Sequence, residues 1–193
     1  MLESEGFVVE TAENAAAAKQ QTEKFDPDAL VIDIDLGLGP NGFDLADSIS
    51  RSQAGRAIVF LTNLPDPRFS GTDGRNLTPG AAYLRKSSLM DSKVLLDALN
   101  AALTDRVGVE FRHDLSEERP LANLSASQLQ VLKLVAQGKS NVQIAESRNT
   151  SVRAVEALVS RVFSQLNLNQ TDEGNLRVEA AIAYIEASGL KLQ

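Results

Sequence analysis

Two rhythms of hydrophobic and polar positions divide the chain. Up to about Leu103, short apolar runs alternate with segments of helical spacing; beyond Leu121 only helical spacing remains. Phe7–Val9 predicts a first short strand and Ala12–Phe25, rich in alanine, a helix. Ala29–Ile34 is apolar at nearly every position, which predicts a strand buried on both faces. Phe43–Ser50 follows as a helix, Ala57–Thr62 as a second buried strand and Ala81–Leu84 as a short third one. Ser88 with Asp91 is expected to cap a helix carrying Leu89, Val94, Leu95, Leu99 and Leu103. Strands that alternate with helices predict a parallel α/β sheet. One stretch breaks the rhythm: Leu64–Pro79 contains Pro65, Pro67, Gly71, Gly74 and Pro79, which forbid a helix of useful length.

The last third is punctuated differently. Ser125 to Gln128 is a capping-box pattern, followed by Leu129, Leu132, Leu134 and Val135 at helical spacing. Gly138 stands where a helix end needs a residue tolerant of positive φ. Ser140 to Gln143 is a second capping box, opening a helix around Val142, Ile144 and Ala145. Ser151 then caps a longer helix with a stripe of Val152, Val155, Val159, Val162, Phe163 and Leu166. Short helix, tight turn and longer helix is the geometry that lays a recognition helix in a DNA major groove. A helical bundle with a purely packing role is the plainer alternative.

The string Gln137–Ala145, with Val155-Glu156 and Val159–Leu166 after it, resembles the LuxR-type helix-turn-helix family over roughly the last third of the chain. The resemblance implies an all-α four-helix domain whose partner is double-stranded DNA, read by a dimer through Ser151–Leu166. Its candidate DNA-binding residues are Lys139, Ser151, Arg153, Glu156, Ser160 and Arg161. The match has departures. Arg148, Asn149 and Thr150 occupy positions that are usually apolar, Leu158 replaces a common histidine and Gln165 a common lysine. Glu156 stands where a cation would be welcome. Lys139, Arg153, Ser160 and Arg161 remain candidate contacts, with a solvated surface as the competing reading for each.

Composition narrows the function classes. With no cysteine, disulfides, zinc–thiolate sites and thiol nucleophiles are excluded. His113 is the sole histidine and lies among Arg112, Asp114 and Ser116, which predicts an exposed linker residue. No apolar run approaches the ~20 residues of a membrane span, and no signal-like segment opens the chain, so a cytoplasmic protein is expected. The net charge of −7 is uneven: residues 1–120 carry 12 Lys+Arg against 20 Asp+Glu, and residues 121–193 carry 7 against 6. Phosphate neutralisation drives non-specific DNA affinity, so a helical part at +1 predicts weak binding, or binding that needs a homodimer.

In parallel α/β sheets the chemistry sits at the carboxyl ends of the strands. Asp33, Thr62 and Lys86 end the three central strands here. A carboxylate, a hydroxyl and an ammonium suit a phosphoryl group, with Asp33 as nucleophile and Thr62 and Lys86 binding the transferred oxygens. Each alone is ordinary; the ordered triple is the signal. Pro27–Asp33, Asn41–Leu45, Val59–Thr62 and Gly80–Lys86 also resemble the receiver domain of bacterial response regulators. That resemblance implies a flavodoxin-like fold, Asp33 as phosphoacceptor supported by Thr62 and Lys86, and Tyr83 as the family's switch aromatic, although a half-buried strand tyrosine reads equally well. Receiver and LuxR-type helix-turn-helix together resemble the NarL/FixJ class of response regulators.

Against that family, Met1–Phe7 looks like the tail of a first helix. The first strand, most of the first helix and the acidic pair that holds Mg²⁺ are therefore expected to be missing, through a late start, a covering chain or a degenerate domain. Glu3 and Glu5 fall on the wrong element to substitute. Mg²⁺ is expected for a full-length receiver and not for this chain, where Asp33 is the one possible ligand. Gly37–Gly42 spells a dinucleotide-binding pattern, but Asp33 and Asp35 just upstream would repel a pyrophosphate.

The expectation is a truncated receiver-like domain over residues 1–104, a linker over 105–120 and a LuxR-type domain over 121–193. Together they form a transcriptional regulator, not an enzyme, partnered by DNA and a sensor histidine kinase. Two rivals are a regulator working through protein contact, independent of phosphorylation, and a haloacid-dehalogenase-like phosphatase using Asp33 and Asp35. The second lacks a downstream acidic pair.

Overall fold

The computed structural model of the chain describes residues 1–37, 39–52, 55–70, 77–89, 91–168 and 175–188. Gly71 and Gly74, invoked above as helix breakers, lie outside them. The chain divides into two compact units, one of Met1–Leu64 with Asn76–Ser116, the other of Pro65–Arg75 with Glu117–Gln193.

The first unit contains α1 (Ala15–Phe25), β1 (Ala29–Ile32), α2 (Gly42–Ser52), β2 (Ala57–Thr62), β3 (Ala82–Arg85) and α3 (Ser92–Leu103). The strands form a parallel sheet in the order β1-β2-β3, with Ile32 opposite Phe60 and Phe60 opposite Tyr83. Successive strand residues point to opposite faces, so β2 feeds two cores. Ile58 and Phe60 pack with Ile32, Ile49 and Phe43, whose ring centroid lies 4.9 Å from that of Phe60. Ala57 and Val59 pack with Leu84, Leu95 and Leu99 of β3 and α3. Asn14 starts α1 by accepting from the Ala17 amide at 2.9 Å.

Several boundaries differ from expectation. Phe7–Val9 is not a strand: Phe7 packs against the second core while Val8 is 82% exposed. Phe7 and Val9 are only partly buried, and so shallow a face leaves little to hold a ladder in register. β1 is paired on one side only, and Val31 on it is exposed, so this strand is not buried on both faces. Asp91 rather than Ser88 caps α3, accepting from the Lys93 amide, because Lys86–Ser88 is taken up by a 3-10 turn. Residues 105–120 are not an unstructured link throughout. Val109–Phe111 and His113–Leu115 form 3-10 turns, and Val107 and Phe111 join the second core. Single turns repeat over too few residues to leave a periodic pattern in the sequence.

The second unit contains α4 (Ala126–Ala136), α5 (Asn141–Ser147), α6 (Val152–Gln165) and α7 (Leu176–Ser188). Both capping boxes form, Ser125 with Gln128 and Ser140 with Gln143, and Ser151 caps α6 through the Ala154 amide. Gly138, at φ +76°, ends α4 while the Lys139 amide returns to the Leu134 carbonyl; such a left-handed residue is the ordinary way to close a helix. Leu129, Leu132, Ile144, Val155, Val162 and Tyr184 are buried. Val142 and Val152 are exposed, contrary to their assignment to the apolar faces.

Pro67–Ser70, from the stretch expected to lack a regular helix, is a 3-10 turn assigned to this second unit. Phe69 is buried and its ring stacks on Tyr184 at 5.8 Å between centroids. Asp66 is buried too, accepting from the Arg68 guanidinium at 2.8 and 2.6 Å, while Arg68 also donates to the carbonyls of Leu121 and Leu124.

Candidate functional site

Because β1, β2 and β3 are parallel, their carboxyl ends share one edge of the sheet, and Asp33, Thr62 and Lys86 are set there. Lys86 Nζ lies 2.6 Å from Asp33 Oδ2 with both side chains partly exposed, so the ammonium and the carboxylate meet where solvent reaches them. Asp33 Oδ1 accepts from the Asp35 amide at 3.2 Å, and Asp35 in turn accepts from Gly37. These Asx turns fix the loop after β1. Thr62 is only 1% exposed, and its Oγ1 accepts from the Leu64 amide at 3.3 Å. A hydroxyl that accepts there still has a proton to donate.

Gly42 lets α2 close against this edge. Its amide donates to the Ile34 carbonyl at 2.9 Å, and a Cβ built there would stand 2.3 Å from the Asp33 carbonyl oxygen. Asn41 accepts from the Phe43 and Asp44 amides, and Asp44 accepts from the Asn41 amide, a reciprocal cap at the helix start. The glycines that spell the dinucleotide pattern therefore belong to this turn and close approach. Tyr83 is fully buried in the first core, and its hydroxyl donates to the Leu64 carbonyl at 3.0 Å. It is thus tied to the segment leaving Thr62.

The site combines a nucleophilic carboxylate, a cation and a hydroxyl donor, the groups that acyl-phosphate formation uses. Among the described residues no cluster of three or more acidic or histidine side chains is placed to hold a metal ion. Asp33 and Asp35 supply two carboxylates, one of them already engaged by Lys86. That donor set does not fit a divalent cation by itself.

In the second unit, Ser151, Arg153, Glu156, Ser160 and Arg161 are exposed, while Val155, Val159 and Val162 are buried. At about 100° per residue, Arg153, Ser160 and Arg161 fall on the outward face of α6 and Glu156 at its margin. Arg161 turns its Nε back to the Ala157 carbonyl at 3.2 Å. Lys139 lies off this helix, in the turn before α5, with its carbonyl accepting from Arg177.

Three residues have roles that local patterns did not disclose. Arg148, at a usually apolar family position, donates to Gln130 Oε1 at 2.8 Å and Ser127 Oγ at 2.9 Å, tying α5 to α4. Arg177 donates to Asn141 Oδ1 at 3.0 Å and the Lys139 carbonyl, tying α7 to the turn between α4 and α5. His113 is not an exposed linker residue. It is half-buried, and its Nδ1 accepts from the Arg85 amide at 3.1 Å. The signal for it was thin: a lone histidine in a charged stretch.

Residues 122–173 match the family model described as bacterial regulatory proteins, luxR family, and residues 1–72 match the response regulator receiver domain. The oxygen regulatory protein NreC of Staphylococcus haemolyticus is 30% identical over 180 residues, covering 86% of this chain and 82% of its own. The nitrate/nitrite response regulator protein NarP of Escherichia coli is 29% identical over 197 residues, covering 94% and 84%. RcsB of Salmonella enterica serovar Typhimurium, solved bound to promoter rprA, superposes with a TM-score of 0.52 at 20% identity, covering 95% of this chain and 88% of that one, and so shares the fold. With a sheet-edge aspartate in one unit and a capped helix-turn-helix in the other, the chain belongs to the two-component response regulators that join a receiver to a LuxR-type DNA-binding domain, regulators of transcription rather than enzymes.

Proposed function

We propose that Asp33 is the phosphoacceptor of this regulator and that the outward face of α6 is its DNA-reading surface. A carboxylate oxygen of Asp33 attacks the phosphorus of a phosphohistidine on a sensor kinase, the P–N bond breaks, and the nitrogen keeps the electron pair. Lys86 neutralises the transferred oxygens, the Thr62 hydroxyl donates to one of them, and Tyr83 links the site to Leu64. Receivers use Mg²⁺ for this chemistry; with the acidic residues present here, this chain holds the ion poorly and takes phosphate inefficiently. In sequence terms the receiver-like domain is residues 1–104 and the DNA-binding domain 121–193, with part of 105–120 packing on the first unit and Pro65–Ser70 belonging to the second. Homodimers place two α6 helices on a pseudo-palindrome in the cytoplasm.

The observation that carries the DNA reading is the two-sided character of α6: Val155, Val159 and Val162 buried, Arg153, Ser160 and Arg161 exposed on the outward face, and a capped turn in front of them. Fluorescence anisotropy with a labelled duplex at rising salt tests it. Affinity should fall steeply with salt, and Arg153→Ala should weaken binding about uniformly across sequences if it meets phosphate. Salt-insensitive or absent binding would favour the second reading, a regulator acting by protein contact. The thin charge of residues 121–193 and the exposed Glu156 support that rival.

A further inference from the structure

The segment that leaves α3 returns along the edge of β3 that faces away from β2. Arg112 forms an isolated parallel bridge with Tyr83, and the Arg85 amide donates to His113 Nδ1 at 3.1 Å. Arg112 donates twice to Asp114, each at 2.9 Å, and Asp114 is 6% exposed. Val107 and Phe111 pack into the core beneath. The link between the two regions is therefore seated on the sheet by one backbone bridge, two apolar side chains and one imidazole, while the Arg112–Asp114 ion pair braces the segment internally.

The imidazole is the part that a proton can change. Neutral, with its proton on Nε2, the ring has a lone pair on Nδ1 for the Arg85 amide. Protonated, both nitrogens are donors, and an N–H would then face an N–H. The charged and polar groups around the ring come from both packed elements: the Arg85 guanidinium from β3, and the Glu110 backbone and Asp114 from the segment itself, Asp114 being already paired with Arg112. Burial first, and the Arg85 charge next, outweigh the hydrogen bond to the Glu110 backbone and the Asp114 charge. Together they hold the ring below its ordinary pKa of 6.5.

We propose that His113 is a proton-operated latch, whose neutral ring seats Val109–Leu115 on the β3 edge and whose imidazolium releases it. Released, the chain from the end of α3 to Glu117 is no longer pinned. The chain entering Glu117 then gains conformational freedom, while the second connection at Leu64–Pro65 is unchanged. The latch operates whether or not Asp33 accepts phosphate.

Amide hydrogen exchange on the full chain, read at Arg85 between about pH 8 and about pH 5, tests the latch across the histidine range. With intrinsic exchange rates divided out, the Arg85 amide should lose roughly tenfold of its protection on acidification, about one hydrogen bond's worth. The Phe60 amide in the central strand should keep its protection and so show that the sheet remains folded. His113→Gln retains an acceptor that does not titrate and should flatten the profile; His113→Lys should leave Arg85 unprotected throughout. Because this is the sole histidine, its ring resonances give an independent titration, and the midpoint should coincide with the loss of protection. A flat wild-type profile, an equal fall in His113→Gln, or two midpoints that disagree would overturn the latch.

Discussion

Lys86 Nζ sits 2.6 Å from Asp33 Oδ2, so the carboxylate that would take a phosphoryl group already holds the cation meant to neutralise it. An incoming phosphate must share or displace that ammonium, and the nearby Asp35 adds repulsion. We expect slow labelling of this chain by a small phosphodonor with Mg²⁺, none in Asp33→Asn, and a further loss in Lys86→Ala. Fast Asp33-dependent labelling, measured by phosphate-binding gel or intact mass, would sink the claim of inefficient phosphate uptake.

Gly42→Ala should destabilise the first unit by about 1–3 kcal/mol through overpacking. The added methyl would meet the Asp33 carbonyl, Ile34 Cα and the Ile32 side chain at 2.3–2.9 Å. Since two of those contacts are backbone, relief requires α2 to move off the loop after β1. Thermal denaturation measures the cost; an unchanged midpoint would show that α2 stands further from Asp33.

Arg148→Ala should cost about 1 kcal/mol, a typical net value for lost hydrogen bonds, without weakening DNA binding. Its guanidinium is committed to Gln130 and Ser127 rather than to the α6 face. Urea unfolding and the duplex titration together separate this from Arg153→Ala, for which the reverse is expected: stability kept, affinity lost.

Phe69→Ala should remove the ring stacked on Tyr184 and destabilise the second unit by roughly 3–5 kcal/mol, the range for deleting a buried phenylalanine. Tyr184 carries a second prediction. Burial pushes its phenol up to about 12 from the ordinary 10. The unfolded chain therefore loses this proton first, and the contribution of Tyr184 to stability is present below pH 10 and falls as pH rises from 10 towards 12. Phenolate absorbance followed alongside circular dichroism should show Tyr184 ionising only as the unit opens.

What could be read in advance follows from the range of each interaction. Ser125, Ser140 and Ser151 announce helix starts because a cap is a bond to an amide two or three residues on, and all three form. β2 spans Ala57–Thr62 as its unbroken apolar run implies, and Asp33 and Lys86 meet because parallel strands bring their ends to one edge. The setting of His113 is not legible locally because its partner, Arg85, lies 28 residues upstream and is reached only when the chain folds back on β3. Arg148 looked like a departure from family pattern for the same reason, its partners lying 18 and 21 residues away. The short Phe7–Val9 run overstated a strand because three apolar side chains speak for burial and not for a backbone partner.

The assignment of Pro65–Arg75 to the second unit has a consequence for how this chain is divided in sequence. Each unit is assembled from two separate stretches, so no single peptide bond marks the junction between them. A cut at Glu117 would strand Asp66, Arg68 and Phe69 on the wrong fragment, leaving Tyr184 without its stacked ring and the Leu121 and Leu124 carbonyls without their guanidinium. The helix-turn-helix is, in this chain, a fold completed by a loan from upstream sequence.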